Sequence, residues 1–197
     1  MVAAPVGILL AAGRGSRFDP TGTQNKLLAR LPDGAAVVEA SARNLLAVLP
    51  RVIAVVPAEG EVAAILRSLG CDVTVCADAG QGMAASLVHA LRHSLPAAQS
   101  WVVALGDMPF VRPATIRALC DALGGGAGIA APAMQGRRGN PVGFDGSYLQ
   151  ELLALEGDQG ARRVLMAHPV TQVEVNDPGI FDDIDSAEDL RRPRTNP

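Results

Sequence analysis

Lysine is nearly absent from this sequence. Of 17 basic residues, sixteen are arginine and one, Lys26, is lysine. Against 20 acidic residues they leave a net charge of −3, which excludes the basic footprint of a nucleic-acid binder. Aromatic residues make up 3% of the chain, too few for the stacking platforms that hold single strands. The three cysteines, Cys71, Cys76 and Cys120, form no CxxC pair and no metal-ligand spacing. Neither a disulfide framework nor a zinc site is therefore expected. Their odd number, without a secretory signal, points to a reducing cytoplasm. The apolar opening, Met1 to Leu10, has no basic flank and stops at Gly13, too short to span a bilayer. Internal repeats and low-complexity segments are missing as well.

What is abundant is alanine, with 33 residues, and glycine, with 21. With so much arginine, this composition is that of a G+C-rich genome. Under such a bias a lone lysine is either a survivor of drift or a position that needs an ammonium. The 197 residues, 49% hydrophobic, suit one domain with a full core, expected over residues 1–190 with a frayed tail at 191–197.

Short apolar runs alternate with helical patterns. Strands are expected at Val6–Ala12, Val52–Pro57, Val73–Ala77, Trp101–Gly106, Gly128–Ala133, Pro141–Asp145 and Val170–Val175. The first, second and fourth are near-continuous Val, Ile, Leu and Ala, as in strands buried on both faces of a parallel sheet. Val38, Ala42, Leu45 and Leu49 share one helical face. Further helices are expected at Val62–Leu69, Met83–Leu95, Ala114–Leu123, Tyr148–Leu155 and Ala161–Ala167. Pro113 suits a first helical turn. Ser186 and Asp189 form a capping-box pattern. The alternation implies an α/β fold of three layers, doubly wound around a mostly parallel sheet. Ligands in such folds sit beyond the carboxyl ends of the strands. The residues after Ala12, Ala77, Gly106 and Ala133 are therefore expected to converge on one crevice.

After the first strand, Ala11-Ala12-Gly13-Arg14-Gly15-Ser16-Arg17 combines small residues, two glycines and two arginines. Backbone N–H groups there can form an anion nest, and arginines suit phosphates. A dinucleotide fingerprint would need glycine where Phe18 stands, and no Walker A pattern is present. Asp107 leaves an apolar strand, where a carboxylate needs a cationic partner. Mg²⁺ takes one or two carboxylates plus phosphate oxygens. Asp182, Asp183 and Asp185 crowd together and likewise need a cation or a helix N-terminus. Ser86, near a helix start, either donates to a ligand or caps the helix. Arg137-Arg138-Gly139-Asn140-Pro141 is a basic turn before a strand, suited to a second substrate or simply a surface turn. Asp158 and Arg162 are expected to cap and border a helix first and to meet substrate second. His89, His93 and His168 show no ligand spacing.

Six segments resemble, in order, the molybdenum cofactor cytidylyltransferase branch of the MobA-like nucleotidyltransferases. Leu10–Arg17 with Lys26-Leu27-Leu28 fills the pattern LxAGxGxR…K. Gly82-Met83-Ala84-Ala85-Ser86-Leu87 is similar to GMSSSL, and Leu105-Gly106-Asp107-Met108-Pro109 to LGDMP. Gly139-Asn140-Pro141-Val142 is similar to GHPV. Gly157-Asp158-Gln159-Gly160-Ala161-Arg162 and Asp183 to Leu190 are similar to GDxGAR and DIDTPEDL.

The resemblance implies a Rossmann-like nucleotidyltransferase that moves CMP from CTP to a molybdopterin-type cofactor with release of pyrophosphate. It implies catalytic roles for Arg17, Lys26 and Asp107. Nucleotide contacts would come from Leu10, Ala11, Ala12, Gly13, Gly15, Lys26, Gly82 and Ser86. Mg²⁺ would sit on Asp107 and Asp183, and the acceptor on Arg138, Asn140 and Pro141. Ala11-Ala12-Gly13 matches the branch that uses CTP rather than GTP. A molybdoenzyme or its maturation chaperone is the implied protein partner, with no nucleic acid or membrane. Asn140 replaces the family's usual His, and Phe18–Asn25 lengthens the stretch between Arg17 and Lys26. These departures keep a sugar or alditol phosphate acceptor, a GTP-using guanylyltransferase and a non-catalytic nucleotide-binding maturation factor open.

Overall fold

The first strand is buried along its whole length, and its pleat sends apolar side chains to both faces. The structure, a computed structural model, describes residues 3–13, 18 and 24–191. In β1 (Val6–Leu10), Ile8 and Leu10 point to one face of the sheet and Leu9 to the other. The next strand, β2 (Val52–Val56), divides its side chains in the same way. A strand apolar on both faces must be covered on both faces. On the Leu9 side lie α1 (Val37–Leu46), α2 (Glu61–Ser68) and α4 (Pro113–Gly124). On the Ile8 side lie α3 (Met83–Ser94), α5 (Leu149–Leu153) and α6 (Arg162–Ala167). The result is the expected three layers.

The other strands are β3 (Asp72–Val75), β4 (Ser100–Leu105), β5 (Ile129–Met134), β6 (Arg137–Arg138), β7 (Val142–Asp145) and β8 (Thr171–Glu174). Their order is β3-β2-β1-β4-β7-β5-β6, with β8 also beside β5. The pairs β1–β2, β2–β3, β1–β4 and β5–β8 are parallel. β7 runs antiparallel to β4 and β5, and β6 antiparallel to β5. β1 and β4 lie side by side, Leu10 opposite Leu105. The chain leaves β1 toward β2 and leaves β4 toward the other half of the sheet. Between their carboxyl ends lies the switch point where open α/β sheets bind ligands.

The seven expected strands are present within two residues of their expected limits. β6 was read as a turn; it is a two-residue strand, defined by the pairing of Arg137 and Arg138 with β5. The helix expected at Tyr148–Leu155 splits, because Asp145 caps a 3-10 turn, Gly146–Tyr148, before α5 begins. The expected capping box is present. Ser186 N donates to Asp189 Oδ2 at 2.7 Å, and Asp189 N to Ser186 Oγ at 3.4 Å. It opens a 3-10 turn, Asp189–Arg191. Residues 192–197 lie outside the described residues. Among the described residues no helix is long and apolar enough to cross a membrane.

A buried carboxylate secures the start of α4. Asp177 is 2% exposed and accepts from Arg112 N at 2.8 Å, Thr115 Oγ1 at 2.6 Å and Gly179 N at 3.0 Å. Asp177→Ala strands three donors, and denaturant unfolding should show a loss of about 2–4 kcal/mol. A loss below about 1 kcal/mol would contradict this capping role. Burial also pushes the Cys71 thiol up to about 11 and raises those of Cys76 and Cys120. At pH 8 the native protein should therefore react with a thiol reagent far more slowly than the unfolded chain.

Candidate functional site

The lone lysine is buried at the switch point. Asn25 opens a 3-10 turn, Lys26–Leu28, its Oδ1 accepting from Leu27 N at 3.0 Å. Leu27 packs into the core, which fixes the direction of its neighbour. Lys26 is only 8% exposed. Its Nζ donates to Asp107 Oδ2 at 2.6 Å and to Asp185 Oδ1 at 3.1 Å. A solvated loop lysine is thereby excluded.

Both carboxylates are held by backbone. Asp107 follows Gly106, whose N–H donates to Leu10 O at 2.9 Å and prolongs the β1–β4 pairing. A Cβ at Gly106 would come within 3.1 Å of that oxygen, so the close approach favours glycine. From α1, Ser41 Oγ donates to Gly106 O at 3.0 Å and Asn44 Nδ2 to Pro109 O at 2.9 Å. Ile184 N donates to Asp107 O at 2.9 Å, which brings the Asp183–Asp185 segment alongside. Asp185 is fixed in turn by Asp189, whose Oδ2 accepts from Asp185 N at 3.1 Å.

Burial by itself would lower the Lys26 pKa. The hydrogen bond and charge of Asp107, followed by those of Asp185, outweigh it and raise the value. Burial raises the Asp183 pKa, and the nearby charges of Asp185 and Asp107 add to this while Lys26 opposes it. The other oxygen of Asp107, Oδ1, is buried and has no hydrogen-bond partner among the described residues. A buried carboxylate oxygen left without a donor fits a cation ligand. Among the described residues no three His, Cys, Asp or Glu side chains form a ready-made metal cage. Asp107 with the neighbouring Asp183 instead suits Mg²⁺ or Mn²⁺, which take few protein oxygens and keep the rest for phosphate and water.

These groups border a cleft of about 430 Å³. Leu10, Ala12 and Gly13 line it from the end of β1, Lys26 and Asp107 from its floor, and Gly82 and Ser86 from the first turn of α3. Gly82 has φ of +126°, and a Cβ there would lie 2.5 Å from Gly157 O. That approach carries Asp158 to the rim, where it also lines the cleft rather than only bordering a helix. Ala11 is buried, with its N–H given to Val55 O at 2.9 Å, so it serves the sheet. The residues after Ala133 do not line the cleft. Arg138 is exposed on β6, while Asn140 and Pro141 border a separate small void with Ser41 and Met108. Gly15 and Arg17 lie outside the described residues, as do Arg14 and Ser16. Sequence reasoning put a structural role first for Asp158, which lines the cleft, and did not pair Asp185 with Lys26. The acidic run near the C-terminus signalled a needed cation, but not which acid would meet Lys26.

Residues 7–173 match the MobA-like NTP transferase domain, and the chain belongs to that family of nucleotidyltransferases. The sequence matches no curated protein. Rv0371c from Mycobacterium tuberculosis H37Rv is 30% identical, with 97% of each chain covered and a TM-score of 0.79. That protein has also been solved in complex with manganese, with 96% of this chain and 97% of that one covered and a TM-score of 0.74 at 30% identity. A nucleotidyl transferase from Methanothermobacter thermautotroptrophicus is 25% identical, covering 95% and 94%, with a TM-score of 0.79. Molybdopterin-guanine dinucleotide biosynthesis protein A from Archaeoglobus fulgidus, at 22% identity, 94% and 95% coverage and a TM-score of 0.68, shares the fold.

Lys26→Met removes the ammonium from beside Asp107 and Asp185 and should cost about 2–4 kcal/mol at neutral pH, measured by denaturant unfolding. The folded-state pKa of Lys26 is raised, so its contribution is full below the ordinary 10.5 and is lost as pH rises through the folded value. The gap between wild type and variant should hold from pH 7 to 9 and close above 10.5.

Proposed function

We propose that this protein is a divalent-metal-dependent cytidylyltransferase that moves CMP from CTP to a molybdopterin-type cofactor and releases pyrophosphate. The carrying observation is the Lys26–Asp107 pair at 2.6 Å in the crevice beyond β1 and β4, with Asp107 Oδ1 beside it given no hydrogen bond by any described residue. Such a site suits an attack on the α-phosphate, where charge grows on several oxygens and must meet preplaced cations and N–H donors.

Ala12 and Gly13 are small, which lets the backbone after β1 approach the polyphosphate closely. The first turn of α3 presents Gly82, Met83 and Ser86 to the same cleft, and a helix N-terminus favours phosphate. Lys26 would give phosphate oxygens a compact point charge, and Arg17 a bidentate fork. Asp107, with Asp183 beside it, would hold Mg²⁺ or Mn²⁺. A divalent ion bound there supplies charge neutralisation on the phosphate oxygens. The Ala11-Ala12-Gly13 turn resembles that of the members that use CTP rather than GTP, which supports cytosine over guanine.

The acceptor is assigned to the basic hairpin. Arg137 stacks over Phe181 at 4.6 Å, and Asn140 N donates to Ile180 O at 3.0 Å. These contacts tie Arg138, Asn140 and Pro141 to the segment that carries Asp183. From there the exposed Arg138 can meet an acceptor phosphate. A cytoplasmic molybdoenzyme or its chaperone would receive the product.

The test is pyrophosphate release with CTP or GTP against molybdenum cofactor and against sugar and alditol phosphates. CTP with the molybdenum cofactor should give the highest turnover. GTP turnover equal to or above that with CTP overturns the nucleotide assignment, and preference for a sugar phosphate overturns the acceptor. Asp107→Ala should lower turnover about 100-fold or more while the protein stays folded by circular dichroism. Binding of CTP without any turnover would make the protein a nucleotide-binding factor instead.

A further inference from the structure

Lys26 faces two demands that it cannot meet at once. The proposed reaction places its ammonium on phosphate oxygens, yet here the ammonium sits on Asp107 and Asp185 at 2.6 and 3.1 Å. We infer that Lys26 is the cation that balances these carboxylates before ligands bind, with Asp185 as its second anchor, and that a divalent cation and a nucleoside polyphosphate displace it together. This inference rests on the cleft being a nucleotide and metal site.

The charges make the two ligands depend on each other. Asp107 lines the cleft, Asp183 and Asp185 lie close to it, and among the described residues Lys26 is the cation hydrogen-bonded to two of the three. A divalent ion arriving alone meets the ammonium already seated on Asp107. A polyphosphate arriving alone meets three carboxylates, because the ammonium is occupied. When both arrive, the ion takes the carboxylates and the ammonium is released to the phosphates. Like charges are then no longer opposed in any pair. Lysine suits this exchange: it is a point charge on a flexible stem, and its Nζ can change partners while Leu27 keeps the backbone in place. Arginine's planar fork would hold both carboxylates more rigidly. Asp185 acts here as a positioning residue. Its backbone is clamped by Asp189, so it remains where Lys26 can return to it.

The composition supplies the probe. Because Lys26 is the sole lysine, protein isotope-labelled at lysine Nζ gives one side-chain ammonium signal. In wild type, that signal should shift little with Mg²⁺ alone and strongly with Mg²⁺ plus a non-hydrolysable CTP analogue. In Asp185→Asn it should broaden before any ligand is added, through faster proton exchange. Paramagnetic resonance of free Mn²⁺ gives the affinities. Nucleotide should tighten Mn²⁺ binding to wild type by about tenfold or more, within the usual range of coupling between sites. Lys26→Met should bind Mn²⁺ alone about tenfold more tightly than wild type, with the nucleotide effect largely gone. Unchanged or weaker Mn²⁺ binding by folded Lys26→Met overturns the inference. So does an ammonium signal that stays fixed while melting temperatures report nucleotide binding. If Lys26→Met does not fold, the wild-type signal decides. A wild-type protein that binds no nucleotide, with or without metal, instead overturns the reading on which the inference rests.

Discussion

A buried ammonium shared between two carboxylates holds this site together. Its partners lie 81 and 159 residues further along the chain. One contact thus joins the turn after the first strand, the end of the central strand and the C-terminal segment. A buried ion pair is weak evidence of stability by itself, since desolvation opposes the attraction. Its value lies in specificity: each member is intolerable alone, so three distant segments must assemble in one arrangement or leave a bare charge in a half-dry cleft. The surrounding hydrogen bonds from Ser41, Asn44, Ile184 and Asp189 all fix the backbone beside one member or another of this group.

The sheet explains why the group forms where it does. Strands buried on both faces cannot carry ionisable side chains along their length. Chemistry is pushed to the first residues past the carboxyl ends, where small residues give way to polar ones. β1 and β4 end level with each other, so Ala12, Gly13 and Asp107 emerge at the same height. The flanking helices add a wall from α3 on one side and braces from α1 on the other.

The sequence was legible where signals are local. Near-continuous Val, Ile and Leu marked the central strands because a doubly covered strand has no polar side to confuse it. Lys26 stood out by composition, and Asp107 by its place at the end of an apolar run. What could not be read depends on pairing between distant segments. β6 exists only because β5 runs beside it. Asp185 resembled a capping residue until the fold set it against Lys26. Asp158 lines the cleft because Gly82 and Gly157 touch, a contact no spacing announces. Ala11 lies within the motif, and the pleat turns its side chain into the core, which the motif alone does not announce.

The meeting of Gly82 and Gly157 has a further consequence. At this point the main chain of Gly157 closes on a residue that has no side chain, with Asp158 Oδ1 beside it. Any side chain at position 82 would push the two segments apart, so the mouth keeps its width only while that position stays glycine. The same contact couples the segment before α3 to the one before α6, so a change of length in either would move the other wall of the aperture.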